Sequence, residues 1–177
     1  MSHALLALSC LALLLVIAAQ DWLYKPLRNE TISAGLTGRY HVALDAAYVP
    51  LAAALCLNFD GHPLMRVFAI ISAVALILVA ATNTAWRWFD LLTDGAHSTW
   101  HSRFTLTVFT SALALQVIGD HGWRWWLTMA NVAIPGACYA YFHYRATIIE
   151  GVSVAASPAA EKLYVFGLCL WLIAWAI

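Results

Sequence analysis

Charge is what this 177-residue sequence lacks most: 10% of its residues are Asp, Glu, Lys or Arg, whereas 63% are hydrophobic. Soluble domains carry about 25% charged residues. A water-soluble chain of this size would have too little polar surface to cover so much apolar material. Water is therefore excluded as the solvent for most of the chain, and a mean hydropathy of +0.78 points to lipid instead. Net charge is missing too, with nine basic residues balancing nine acidic ones. No global field attracts nucleic acid, and that class of partner is set aside. No Pro- or Ser-rich linker, low-complexity tract or internal repeat divides the sequence. Residues 1–177 read as a single integral membrane domain. Cys10, Cys56, Cys138 and Cys169 sit singly in apolar runs without CxxC spacing, as small packing residues do. The first twenty residues hold no Lys or Arg, so a secretory leader lacks its basic n-region. Leu8-Ser9-Cys10 comes too early for a lipobox, and the segment reads as a first transmembrane helix.

What is present is a series of long apolar runs. A span needs about 20 mostly apolar residues, and stretches 4–20, 41–58, 64–82, 101–118, 124–142 and 160–177 qualify. The expected fold is all-α, a polytopic transmembrane bundle of about six spans. Nine Trp and seven Tyr residues fit it, because amphipathic rings collect at membrane–water boundaries. Six spans place loops 21–40, 83–100 and 143–159 on one side. Lys25, Arg28, Arg39, Arg87, Arg103, Arg145 and Lys162 fall there, against Arg66 and Arg124 opposite. The positive-inside rule then puts the long loops in the cytoplasm. The expected location is a bacterial inner membrane with both termini extracytoplasmic.

The long-loop side also gathers His41, His97, His101 and His143. Read as continuous helix, Asp90, Asp94, His97 and His101 share one face through spacings of four, three and four, and Asn83 and Arg87 extend the stripe. His41, Asp45 and Tyr48 form a second such face, and Tyr139 with His143 a third. Two histidines at i, i+4 can reach one ion, a third ligand can come from another helix, and water can keep the fourth position. Zinc held so generates hydroxide near neutral pH. The metal candidates are accordingly His97, His101 and either His41 or His143. Asp94 and Asp45 are the candidates for base or for orienting the ligands. The competing reading makes Asp90–His101 the wet face of an interfacial amphipathic helix. Asp45 is harder to explain structurally, since an ionisable group inside a span is costly and usually functional. Lys25 and Arg28, in a hydroxyl-rich loop at headgroup level, suit a phosphate or carboxylate. With Tyr48 they are the substrate-binding candidates.

Two resemblances follow from these residues. Tyr24-x-Pro26-Leu27-Arg28-x-x-Thr31-Ile32-Ser33, with its Gly-containing link into the second span, looks like an uncharacterised prokaryotic six-helix membrane family distantly similar to Frag/DRAM/Sfk proteins. That likeness covers about the first two-thirds of the chain and implies a fold without an activity. Asp94-Gly-Ala-His97-Ser-Thr-Trp100-His101 resembles the acid–His–x–x–Trp–His signature of the alkaline ceramidase, Per-one and adiponectin-receptor superfamily. It implies zinc on paired histidines and a lipid amide or ester as substrate. This chain departs in having six spans and in placing the motif before the fourth. The expectation is a metal-dependent hydrolase of a lipid or lipid-linked substrate at the cytoplasmic boundary. Two alternatives stay open. One is a non-catalytic subunit or assembly factor of a larger membrane complex, which packs on other membrane subunits or on a second copy of itself. The other is an electron carrier with haem between histidines on facing helices.

Overall fold

The computed structural model describes residues 2–23, 39–59, 62–119, 122–144 and 158–177. These form six helices: α1 (Ser2–Leu23), α2 (Arg39–Asn58), α3 (Pro63–Phe89), α4 (Asp94–Gly119), α5 (Arg124–Tyr144) and α6 (Pro158–Ala176). Each coincides with one expected span. Helix is the natural outcome for such runs, because in lipid every backbone polar group must be satisfied within its own segment. The protein is an all-α integral membrane bundle. Helices α1, α3 and α6 are long and apolar enough to cross a bilayer, and Val42–Asn58 of α2 is a shorter apolar stretch. Helices α4 and α5 have comparable lengths, and polar residues such as His97, His101, Gln116 and Asn131 lower their hydropathy.

The side-chain pattern is that of helices packing in lipid. In α3 the buried stripe is largely small, with Ala69, Ser72, Ala73, Ala75 and Ala80, while Val67, Ile70, Ile71, Val74, Ile77 and Leu78 face outward. A helix folding in water would turn those bulky residues inward. In a membrane the outside is as apolar as the inside, so small residues take the interface and let backbones approach. Helix α1 buries Leu6, Cys10 and Leu13 along one stripe and exposes Leu8, Leu11 and Leu15 on the other. Pro50 in α2 and Pro135 in α5 sit inside helices, a placement that membrane bundles tolerate.

Neighbouring helices run in chain order, α1 on α2, α2 on α3 and α3 on α4, with α6 returning to pack on α1 and carrying α5 on its flank. The seam between α4 and the α5–α6 pair is the loosest. Two polar bridges cross it. The Tyr164 hydroxyl donates to the Phe109 carbonyl at 2.9 Å, and the Asn131 amide donates to Gln116 Oε1 at 3.3 Å. Elsewhere Ser72 and Ser111 share a buried hydrogen bond of 2.7 Å between α3 and α4.

One expectation is corrected at the α3–α4 junction. The sequence pattern suggested a single helical face running from Asp90 to His101. Instead α3 continues to Phe89 and stops at Asp90, which adopts the left-handed conformation (φ 50°, ψ 32°). Leu91 N–H closes the end on the Ala85 carbonyl at 3.1 Å. Helix α4 then starts afresh. The Thr93 hydroxyl accepts from Ala96 N–H at 3.3 Å, as an N-cap does. Asp90 therefore leaves the histidine face, and the interfacial-helix reading loses its helix. Asn83 and Arg87 belong to α3, so they approach α4 across a hairpin and not along a common stripe.

Candidate functional site

The α3–α4 hairpin builds the site. Asn83 lies near the end of α3 and is 2% exposed, so its carboxamide must be satisfied within the protein. It is: Nδ2 donates to Asp45 Oδ1 of α2 at 3.1 Å, and Oδ1 lies 3.0 Å from His97 Nε2 of α4. The sequence of bonds fixes the proton on the ring. Because the amide nitrogen serves the carboxylate, the amide oxygen faces the imidazole and can only accept, so Nε2 carries hydrogen. The basic nitrogen of a neutral His97 is then Nδ1. An acid deep in α2 is thus used to orient an amide, and the amide to orient a histidine.

Trp86 holds the other face of this ring. Its indole stacks on His97 with centroids 4.4 Å apart and planes 15° apart, and its Nε1 donates to Asp94 Oδ1 at 2.9 Å. The Arg87 guanidinium lies 5.4 Å from the same indole. Asp94, the first residue of α4, is therefore engaged with Trp86. Its carboxylate also stands at a helix N-terminus, where negative charge is favoured.

One turn further along α4, the buried His101 ring lies 5.4 Å from that of His97, with the planes tilted by 39°. His101 opens onto a partly open cavity lined by α1, α2, α3, α4 and α6. Tyr48 and Glu161 join His101 in the cavity wall, whereas Leu51, Leu76, Val108, Leu115 and Leu172 make its length apolar. Polar groups thus cluster at the long-loop end of a hydrophobic slot, which is how small-molecule sites are commonly built.

The candidates named from sequence divide three ways. Asp45, His97 and His101 converge with Asn83. Tyr48 lines the adjoining cavity, and Asp94 reaches the cluster through Trp86. His143 lies exposed on α5 with its ring stacked on Tyr139 at 5.8 Å. Lys25, Arg28 and the side chain of His41 fall outside the described residues. Among the described residues no group of three His, Cys, Asp or Glu is arranged to hold a metal. Two participants escaped the sequence reading. Trp86 was hidden among nine tryptophans that suited the interface. Glu161 carried a usable signal, because it continues the spacing of Val165, Leu168 and Leu172 and so lies on the cavity face of α6.

These features define a class: an integral membrane helical bundle with an oriented histidine, His97, beside a second, His101, at the polar end of an apolar cavity. No family model matches the sequence, and neither a curated protein nor a solved structure does so.

Proposed function

We propose that this protein is a membrane hydrolase acting on a lipid or lipid-linked substrate at the polar end of the central cavity. The observation that carries the reading is the bond sequence Asp45–Asn83–His97 beside His101 at the cavity. A histidine anchored through Nε2–H presents Nδ1 as a general base. Nδ1 takes a proton from water as the water oxygen attacks the substrate carbonyl. Collapse of the adduct breaks the ester or amide bond, and the proton passes to the leaving oxygen or nitrogen.

The ring spacing favours a second form of the same reaction. Two imidazoles on one tetrahedral zinc, each at about 2.0–2.1 Å, hold their ring centres about 5 Å apart. The separation of 5.4 Å is compatible with that. The Asn83 contact is also the outer partner that a zinc-bound histidine uses to fix its orientation. His97 and His101 would be two of the ligands, a third protein ligand would be needed beyond them, and the ion would supply an activated water.

The uneven distribution of basic residues supports placing the site at the cytoplasmic face of a bacterial inner membrane, with both termini outside. A C-terminal reporter active only outside the cytoplasm should then light up, and activity of a cytoplasm-dependent reporter would invert the orientation. For the chemistry, detergent-purified protein is given fluorogenic long-chain esters and amides, with added zinc or with chelator. Release of fluorophore by wild type, lost in His97→Ala, is the expected result. Loss on chelation and recovery with zinc assign the metal form, while insensitivity to chelation assigns direct base catalysis. No release from any substrate under any condition rejects the hydrolase reading.

A further inference from the structure

The helices that ring the central cavity close it unevenly. Helix α1 packs on α2, α2 on α3, α3 on α4 and α6 on α1, but α4 and α6 have no comparable contact, and α5 packs on α6 with little hold on α4. The cavity's lining follows that gap. On α3, Leu76 and Val79 are buried, whereas Thr105 and Phe109 on α4 and Val165 and Leu168 on α6 are part-exposed. The mouth therefore opens sideways, between two spans, toward lipid.

Tyr164 of α6 bars this mouth. Its hydroxyl donates to the Phe109 carbonyl at 2.9 Å, and the two rings pack with centroids 4.9 Å apart. The Asn131–Gln116 bond crosses the same seam nearer the opposite end of the bundle. With the bar in place the enclosed space is about 70 Å³. An apolar cavity of about 150 Å³ takes a guest the size of benzene, so nothing as large as an acyl chain enters unless the seam gives.

We propose that the α4–α6 seam is a lateral portal through which an acyl chain of a bilayer lipid enters the cavity, and that the Tyr164–Phe109 contact is its latch. Helices α5 and α6 move as a pair about the Asn131–Gln116 bond. A solute from water would have to cross hydrocarbon to reach this mouth, whereas acyl chains already surround it. The proposal rests on the hydrolase reading only for what becomes of the bound lipid.

The test uses the full chain in nanodiscs made with a phosphatidylcholine that carries a diazirine at mid-chain. Irradiation attaches the lipid wherever its chain reaches, and peptide mass spectrometry locates the sites. Leu106 and Phe166 face outward and are labelled in every variant. Leu76 and Leu115 line the cavity and are labelled only when a chain has entered. Labelling of both is expected in wild type, and about threefold more in Tyr164→Phe, the gain that loss of an average interhelical hydrogen bond in a membrane brings. For the reverse, Phe109→Cys and Tyr164→Cys are joined by a bifunctional methanethiosulfonate. A Cys56→Ala, Cys138→Ala background removes the two thiols that are not buried. The link should suppress interior labelling, and reduction should restore it. Should that combined variant fail to fold, the comparison of wild type with Tyr164→Phe decides alone. No interior labelling in Tyr164→Phe, equal interior labelling in Tyr164→Phe and wild type, or labelling that persists under the link would each overturn the proposal. Interior labelling as expected, without hydrolysis of any ester or amide by wild type, removes the hydrolase and leaves the portal. Hydrolysis by wild type, with interior labelling unmoved by Tyr164→Phe, does the reverse.

Discussion

The two ends of the bundle use buried polarity in different ways. At the long-loop end, Asp45, Asn83, His97, His101 and Glu161 combine titratable groups with amides next to an open cavity. Towards the opposite end the buried polar residues among the described ones include Ser9, Gln116, Thr128 and Asn131, none of which titrates. There Asn131 of α5 reaches Gln116 of α4, while Gly167 of α6 presses so close that a Cβ would run into the Asn131 carboxamide. The same end is closed by aromatic packing. Phe59 stacks near Trp171 and Trp175, and the Arg124 guanidinium lies 4.6 Å from the Trp175 ring. One end holds helices together, and the other holds a histidine in a defined orientation beside space for a ligand. Buried polarity in a membrane bundle acquires a functional meaning when it borders a cavity and can exchange protons. Without both, it is a helix fastener.

That contrast can be broken by substitution, and the largest effect belongs to the histidine end. In the proposed hydrolase Asp45 and Asn83 would act through His97, as positioning residues. Asn83→Leu should lower kcat about 10–100-fold, the range seen when an outer orienting partner is lost, with KM little changed. Asp45→Asn, which keeps an acceptor for Asn83, should retain more activity than Asp45→Leu. Equal loss in the two Asp45 variants, or a rise in KM with kcat intact, would make this end structural as well.

Next in size is the close approach at the fastening end. Gly167→Leu forces the Asn131 carboxamide aside and should destabilise the bundle by about 1–3 kcal/mol, as overpacking does. Thermal unfolding in a fixed detergent reads the change, and the rate per folded molecule should hold. A smaller term separates the Asn131–Gln116 bond itself. A double-mutant cycle with Asn131→Leu and Gln116→Leu should give a coupling of about 0.6 kcal/mol, the average for such bonds inside membranes. A coupling of several kcal/mol would mean that this amide pair is more than a fastener. The smallest effect lies at the hairpin. Asp90→Gly relieves a left-handed residue that carries a side chain and should change stability by less than about 1 kcal/mol, upward if at all.

Much of the fold was legible because lipid imposes a simple rule. Six apolar runs of spanning length gave six helices, with ends displaced by a few residues. Two larger departures meet at one hairpin: the run 101–118 became a helix beginning at Asp94, and its partner is instructive. The run 64–82 became a helix reaching Phe89, since Asn83, Arg87 and their neighbours are not apolar enough to register as membrane and yet propagate a helix begun in it. The site was legible where its residues shared one helix: His97 with His101, and Asp45 with Tyr48. The Asn83–His97 contact was not, because an assumed continuous helix through residue 90 put both on one stripe, whereas the left-handed turn at Asp90 folds them against each other. Glu161 was passed over although its spacing to Val165, Leu168 and Leu172 was there to read. An acid in the first turn of a span reads as an ordinary boundary residue until the neighbouring helices show that its face is the cavity's.

The central claim is that function and fastening are separated between the two ends, and one paired measurement addresses it directly. Hydrolysis of a long-chain fluorogenic substrate and the unfolding temperature are recorded for wild type, His97→Ala and Gln116→Leu in the same detergent. His97→Ala should lose activity by about 10²–10⁴-fold, the usual worth of a general base, at nearly unchanged unfolding temperature. Gln116→Leu should shift the unfolding temperature and leave the rate per folded molecule intact. An unaltered rate in His97→Ala, or a comparable loss of rate in Gln116→Leu, would contradict the separation.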